Sequence, residues 1–345
     1  MKKFLLIGIV LLICISGIMV NLVECSSSTS LHAGKISGVI NVYWPREKGF
    51  KPGRARIDIL NTELFTISSF YGNYAISNVP DGQHTITVSK HGYLPVQKII
   101  NVVGGQKVTD IDFNLMVDEP GEKYNSRSVT YLGFNIEYPP FDNLKVRQAL
   151  NYAIDKQTLL DEFDSKFGYK PGAAQGPIAP GMMGFNPNLV RYSYDINKAK
   201  ELLSQAGYPK GFSIALHYQK EGSVAEFIAK EAKKHLAKIG IKVDLKGKKW
   251  NEFSKMVGQG KLPFFVSTWG ADTPDPADYL YSLYHSKSSE NLVHYNNSMI
   301  DNQIEQAWGI MDDEKFVPLI QQIESTIVDN APAIYIYHIT YTFKK

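Results

Sequence analysis

Cysteine is nearly absent, with only Cys14 and Cys25 in 345 residues, so no internal disulfide framework is expected. An excess of one charge is missing too. The 37 basic residues stand against 34 acidic ones, a formal +3. No dense basic block tracks a phosphate backbone, which argues against nucleic acid as a partner. The usual addresses of enzyme chemistry are also lacking. There is no His-x-x-Glu or His-Glu-x-x-His pair, nucleophile elbow, phosphate loop or dinucleotide fingerprint, so neither a catalytic centre nor a cofactor is implied. Apolar and charged fractions of 44% and 21% place the chain with ordinary packed proteins, and its length leaves room for two domains.

Only one long hydrophobic run occurs, from Phe4 to Val20 behind Lys2 and Lys3. It reads as an export segment, residues 1–25, either a cleaved signal peptide or a retained anchor, and places the protein outside the cytoplasm, periplasmic or at the cell surface. Cys25, with Leu22 and Val23 before it and the linker Ser26–Ser30 after it, suggests the acylated first residue of a lipoprotein. Glu24 stands where lipoprotein processing normally takes a small residue, and a plain linker thiol is the other reading.

From Lys35 to about Leu115 the pattern has period two: Ile36, Ile40, Val42, then Ala55, Ile57, Ile59, then Tyr74, Ile76, then Ile86, Val88. Such alternation predicts short strands with one buried face. Turn chemistry separates them at Lys51–Gly53, Tyr71–Asn73, Pro80–Gly82 and Gly104–Gly105. About seven strands at this spacing predict a small all-β sandwich over residues 35–117. The stretch "GNYAISNVPDGQHTITVSKHGY", Gly72 to Tyr93, resembles the carboxypeptidase regulatory-like module, a transthyretin-like sandwich, which implies a fold and little function.

Residues 118–127 read as a linker, after which helical patterns alternate with short apolar runs, the texture of an α/β domain over 128–345. One helix is expected after Asp142, burying Val146, Ala149, Leu150, Ala153 and Ile154. Another is capped by Asp195 and stops at Gly207. A third runs from Ser223, with Glu226 at capping-box spacing, to Gly240. Strands are expected at Ile241–Leu245, Phe264–Ser267 and Ala333–Tyr341, and helices around Met299–Met311 and Phe316–Val328.

Three stretches, "YPPFDNLKVRQALNYAIDKQTLL" (Tyr138 to Leu160), "GPIAPGMMGFNP" through "YDINKAKELLSQAGYPKGF" (Gly176 to Phe212) and "STWGADTPDPADYLYSLYHS" (Ser267 to Ser286), together resemble the family 5 solute-binding proteins. These deliver peptides and other solutes to ABC permeases. The resemblance implies an α/β lobe of the periplasmic-binding-protein type II class, with short peptides or a similar small solute as ligand and permease subunits as partners. "YLGFN" (Tyr131 to Asn135) and "APAIYIYHITY" (Ala331 to Tyr341) resemble the two crossover strands. The family's preceding lobe is not recognisable, so the lobe reads as truncated, its first lobe missing or supplied by a separate chain. A non-transporting surface protein with a relic lobe is the alternative.

The resemblance implies that Asp272, in Trp269–Gly270–Ala271–Asp272, meets a ligand ammonium, and that Trp269 lines the cleft. From the residues alone, Asp272 serves equally as a turn former and Trp269 as core. Asp275 and Asp278, with Glu290 nearby, invite a metal reading, but Pro274 and Pro276 break the ligand pattern, and helix entry is the better one. His285 and His294 lack metal-pair spacing and read as solvated or hydrogen-bonded. Arg147 is expected in a surface ion pair. Tyr279, Tyr281 and Tyr284 are expected to pack with wet hydroxyls rather than line a cleft.

Overall fold

The computed structural model describes residues 33–44, 49–118, 125–221 and 223–342. The apolar run, Cys14, Cys25 and Ser26–Ser30 therefore lie outside the described residues.

The first unit holds β1 (Gly34–Trp44), β2 (Gly49–Pro52), β3 (Arg56–Ile59), β4 (Phe65–Ile67), β5 (Asn73–Val79), β6 (Gly82–Ser89), β7 (Val96–Val102), β8 (Lys107–Val108) and β9 (Phe113–Leu115), slightly more than the seven expected. One sheet has the order β2-β1-β5 with β8 and β9 along β1, and the other is β4-β3-β6-β7. The period-two residues explain the pairing of these sheets. Ile36, Ile40, Ile57, Ile59, Ile76, Ile86 and Val88 all enter one shared cluster, since alternation sends every second side chain to the same face. The turn at Pro80–Gly82 carries the chain from the first sheet to the second. Asp81 pins it by accepting from the Gly104 and Gly105 amides, each at 2.9 Å, where both glycines have positive φ.

The second unit comprises β10 (Asn125–Phe134), α1 (Leu144–Ala153), α2 (Lys156–Phe167), β11 (Gly172–Ala173), α3 (Ile196–Gln205), β12 (Ser213–Gln219), α4 (Ser223–Ala237), β13 (Lys242–Lys248), α5 (Trp250–Gly258), β14 (Phe264–Gly270), α6 (Pro276–Tyr284), α7 (Ser298–Ala307), α8 (Asp313–Asp329) and β15 (Ala333–Thr342). The strand β10 already begins within the expected linker. A six-stranded sheet of order β11-β15-β10-β14-β12-β13 forms the centre. Alternation along its strands again assigns the faces: Leu132, Phe134, Phe264 and Val266 meet α1 to α4, while Val129, Tyr131 and Phe265 meet α5 to α8. Phe134 stacks between Phe141 and Phe264 at 4.8 and 5.2 Å. Burying each such ring is worth roughly 1.5–3 kcal/mol.

Helix α1 buries the apolar stripe read from the sequence, and Asn143, just after Asp142, caps it. Asp195 caps α3 as expected. Glu226 turns to Lys230 at 2.6 Å, one helical turn onward. Arg147 is a correction. Its guanidinium is buried and donates to the Phe141 carbonyl at 2.7 Å and the Asn330 carbonyl at 2.8 Å. The loop entering α1 and the end of α8 leave carbonyls without helical partners, and a forked cation satisfies several together.

Candidate functional site

In the sheet, β12 runs parallel to both β13 and β14. The chain leaves β12 into α4 on one face, and leaves β14 into α6 on the other. Adjacent parallel strands whose helices depart to opposite faces leave a crevice at their carboxyl ends, where ligands of open α/β sheets bind. The register of His217 with Phe265 carries β14 three residues beyond the end of β12, so Trp269 and the loop after it stand proud at this crevice.

Trp269 is half-buried, its ring backing onto the α5 to α8 cluster. It lies in one row with Val129 of β10 and His338 of β15. Asp272, two residues past β14, is also only half-buried. Ala271 between them is buried and donates its amide to the Arg127 carbonyl at 2.8 Å, which ties the loop to β10. Partial desolvation of a largely exposed side chain, and then the nearby charge of Asp272, hold the Glu290 carboxyl above its ordinary range. The edge thus offers an indole flank and two acids that together favour a cation. Two hollows of about 290 and 250 Å³ lie elsewhere, beside Glu162 and Lys230 and beside Glu137 and His294. Neither is lined by Trp269 or Asp272.

Asp275 caps α6, accepting from the Ala277 amide at 2.9 Å, the helix-entry role expected of it. Both Asp275 and Asp278 also pair with Lys90 of the first unit, at 2.7 and 2.9 Å. His285 and His294 are not brought together. His285 is wholly buried, 3.2 Å from Glu305, and accepts from the Lys287 amide, and burial holds its pKa below the ordinary range. His294 lies 3.2 Å from Glu137. The expected wet tyrosine hydroxyls need correction at two positions. Tyr284 bonds Tyr335 in the interior at 2.8 Å, and the Tyr279 hydroxyl is buried without a hydrogen-bond partner among the described residues, because α6 turns both rings into the core.

Several buried ionisable groups escaped the sequence reading, Glu324, His338 and Lys156 among them. Glu324 accepts from the Ile178 amide at 2.9 Å, and burial pushes it up to about 8. His338 is pushed down to about 4, chiefly by burial. Lys156 donates to the Ala174 carbonyl, and burial lowers it to about 8. One signal for Glu324 was present: it sits inside the apolar stripe Ile320, Ile323, Ile327 of α8, where a carboxyl must be buried.

The profile described as bacterial extracellular solute-binding proteins, family 5 Middle, matches residues 96–291, beginning within β7. The heme-binding protein A of Haemophilus influenzae is 33% identical over 221 residues, covering 61% of this chain and 39% of that protein. The dipeptide-binding protein of Escherichia coli is 32% identical over 238 residues, with coverages of 67% and 43%. This chain therefore spans about two fifths of the length of the curated relatives it matches. Among solved structures, HbpA2 from Haemophilus parasuis superposes with a TM-score of 0.59 at 23% identity, covering 76% of this chain and 57% of that one, which establishes a periplasmic-binding-protein-like α/β fold.

Proposed function

Because the chain belongs to the bacterial extracellular solute-binding proteins of family 5, we propose that it is an extracytoplasmic solute-binding component of an ABC importer. Its ligand lies against the carboxyl edge of the six-stranded sheet, Asp272 receives a cationic amine, and Trp269 offers apolar area. The observation that carries this reading is the placement of both side chains, half-exposed, at the switch point of the sheet. Similarity reaches proteins whose names give heme and dipeptide as cargo. An acid beside an indole suits an ammonium group, which favours a short peptide. Permease subunits are the partners such a component serves. In this reading the N-terminal run exports the chain, and Cys25 is the acyl anchor point. Residues 35–117 are a carboxypeptidase regulatory-like, transthyretin-like module joined to the lobe.

Calorimetric titration with mixed di- and tripeptides, and with hemin in parallel, tests the proposal. A charged hydrogen bond contributes about 1.5–3 kcal/mol, so Asp272→Asn should weaken peptide binding roughly ten- to a hundredfold. Equal affinity of wild type and variant refutes the ammonium role. Silence with every ligand sinks the solute-binding reading.

A further inference from the structure

We propose that the first unit is a fixed support for the loop that carries Asp272, and that Lys90 is the positioning residue through which it acts. A β unit joined to an α/β unit by a short connection would by default move relative to it. The contacts here are of another kind. Three consecutive residues at the end of β6 dock as a set. The Lys90 ammonium side chain is 2% exposed and meets Asp275, 3% exposed, at 2.7 Å, and Asp278 at 2.9 Å. The His91 ring stacks on Phe316 at 3.6 Å and its Nε2 donates to the Ile310 carbonyl at 2.6 Å. Gly92 has φ +77, and a Cβ there would stand 2.5 Å from the Pro274 ring, so the backbone of the first unit touches the loop where only glycine fits.

The cluster is also closed, with Asp278 at its partly exposed rim. Asp278 also accepts from the Trp308 indole at 2.9 Å and the Thr273 hydroxyl at 3.0 Å, and Asp275 caps α6. Arg54 lies 3.6 Å over the Trp308 ring, and Arg56 donates to the Gly309 carbonyl at 2.7 Å. A buried charge set of this kind holds its partners in register because losing any member strands the others. The short loop is consequently anchored at both ends, by the Ala271 amide on the Arg127 carbonyl and by Lys90 and Gly92 on Asp275 and Pro274. Asp272 lies between the anchors. The anchoring stands on contacts alone; its effect on ligand rests on the binding reading above.

The test is hydrogen exchange of the full chain carrying Lys90→Met and, separately, Gly92→Ala, which crowds Pro274 without stranding a charge. The amides of Thr273, Asp275 and Ala277 to Tyr279 should exchange at least tenfold faster in both variants, while β12 and β13, outside the anchored loop, keep wild-type rates. Unchanged rates at 273–279, or acceleration spread equally over β12 and β13, overturns the proposal. Dialanine titration adds a second readout. If dialanine binds, Lys90→Met and Asp272→Asn should each weaken it and the double variant should lose little more, because one acts through the other; fully additive losses count against the positioning role. Failure of all peptide binding would strike the functional reading and leave the exchange result to decide the anchoring.

Discussion

Replacing Glu324 by glutamine should remove a specific slope from the dependence of stability on pH. The carboxyl sits at 2% exposure inside the α8 stripe, with Oε1 accepting from the Ile178 amide and Oε2 without a partner among the described residues. Burial raises its pKa from 4.5 to about 8, so the folded state holds the proton more tightly than the unfolded chain. The stability this contributes is full below pH 4.5 and is lost as pH rises through 8. At about 1.4 kcal/mol per pH unit, the loss relative to acid conditions reaches ~3 kcal/mol by pH 7. Glutamine keeps an acceptor for Ile178 and cannot ionise. Urea unfolding at pH 5, 6, 7 and 8, extrapolated linearly to water, should find the variant close to wild type at pH 5 and progressively more stable above it. A difference that stays constant from pH 5 to 8 would refute the assignment of this buried acid.

His338 should show the opposite sign. Its pKa falls from 6.5 to about 4, so its contribution is present above pH 6.5 and lost as pH drops through 4, by up to ~3 kcal/mol; His338→Gln should flatten the acid limb of thermal melts between pH 4 and 7. Arg147→Met leaves the Phe141 and Asn330 carbonyls without their donor and should cost about 2–4 kcal/mol in urea unfolding. Arg147→Lys should recover only part of this loss, since an ammonium lacks the planar fork.

What could be read without the structure was whatever repeats locally. Alternating Ile36, Ile40, Ile57, Ile59, Ile86 and Val88 foretold strands that share one core, and steps of three and four from Val146 to Ala153 foretold α1. The stretch Ser267 to Ser286 suggested the candidate site only through its family resemblance, and Asp275 at a helix entry was legible from capping preference. Weak periods escaped: α2 and α5 mix charged residues into brief apolar patterns, and the half-buried β12 breaks its apolar residues with His217 and Gln219, so no repeat long enough to be recognised results.

The tertiary structure alone decided what the interior charges meet. Lys90 meets Asp275 across 185 residues, Arg147 meets Asn330 across 183, and Glu324 meets Ile178 across 146. Backbone periodicity determines which face a side chain takes, because 3.6 and 2 are local numbers. A buried charge needs a partner that only packing supplies, and the chain order of the partner carries no period at all. The strand alternation and helix steps therefore belonged to the sequence, while the docking of the two units and the anchoring of Asp272's loop came from contacts made after folding.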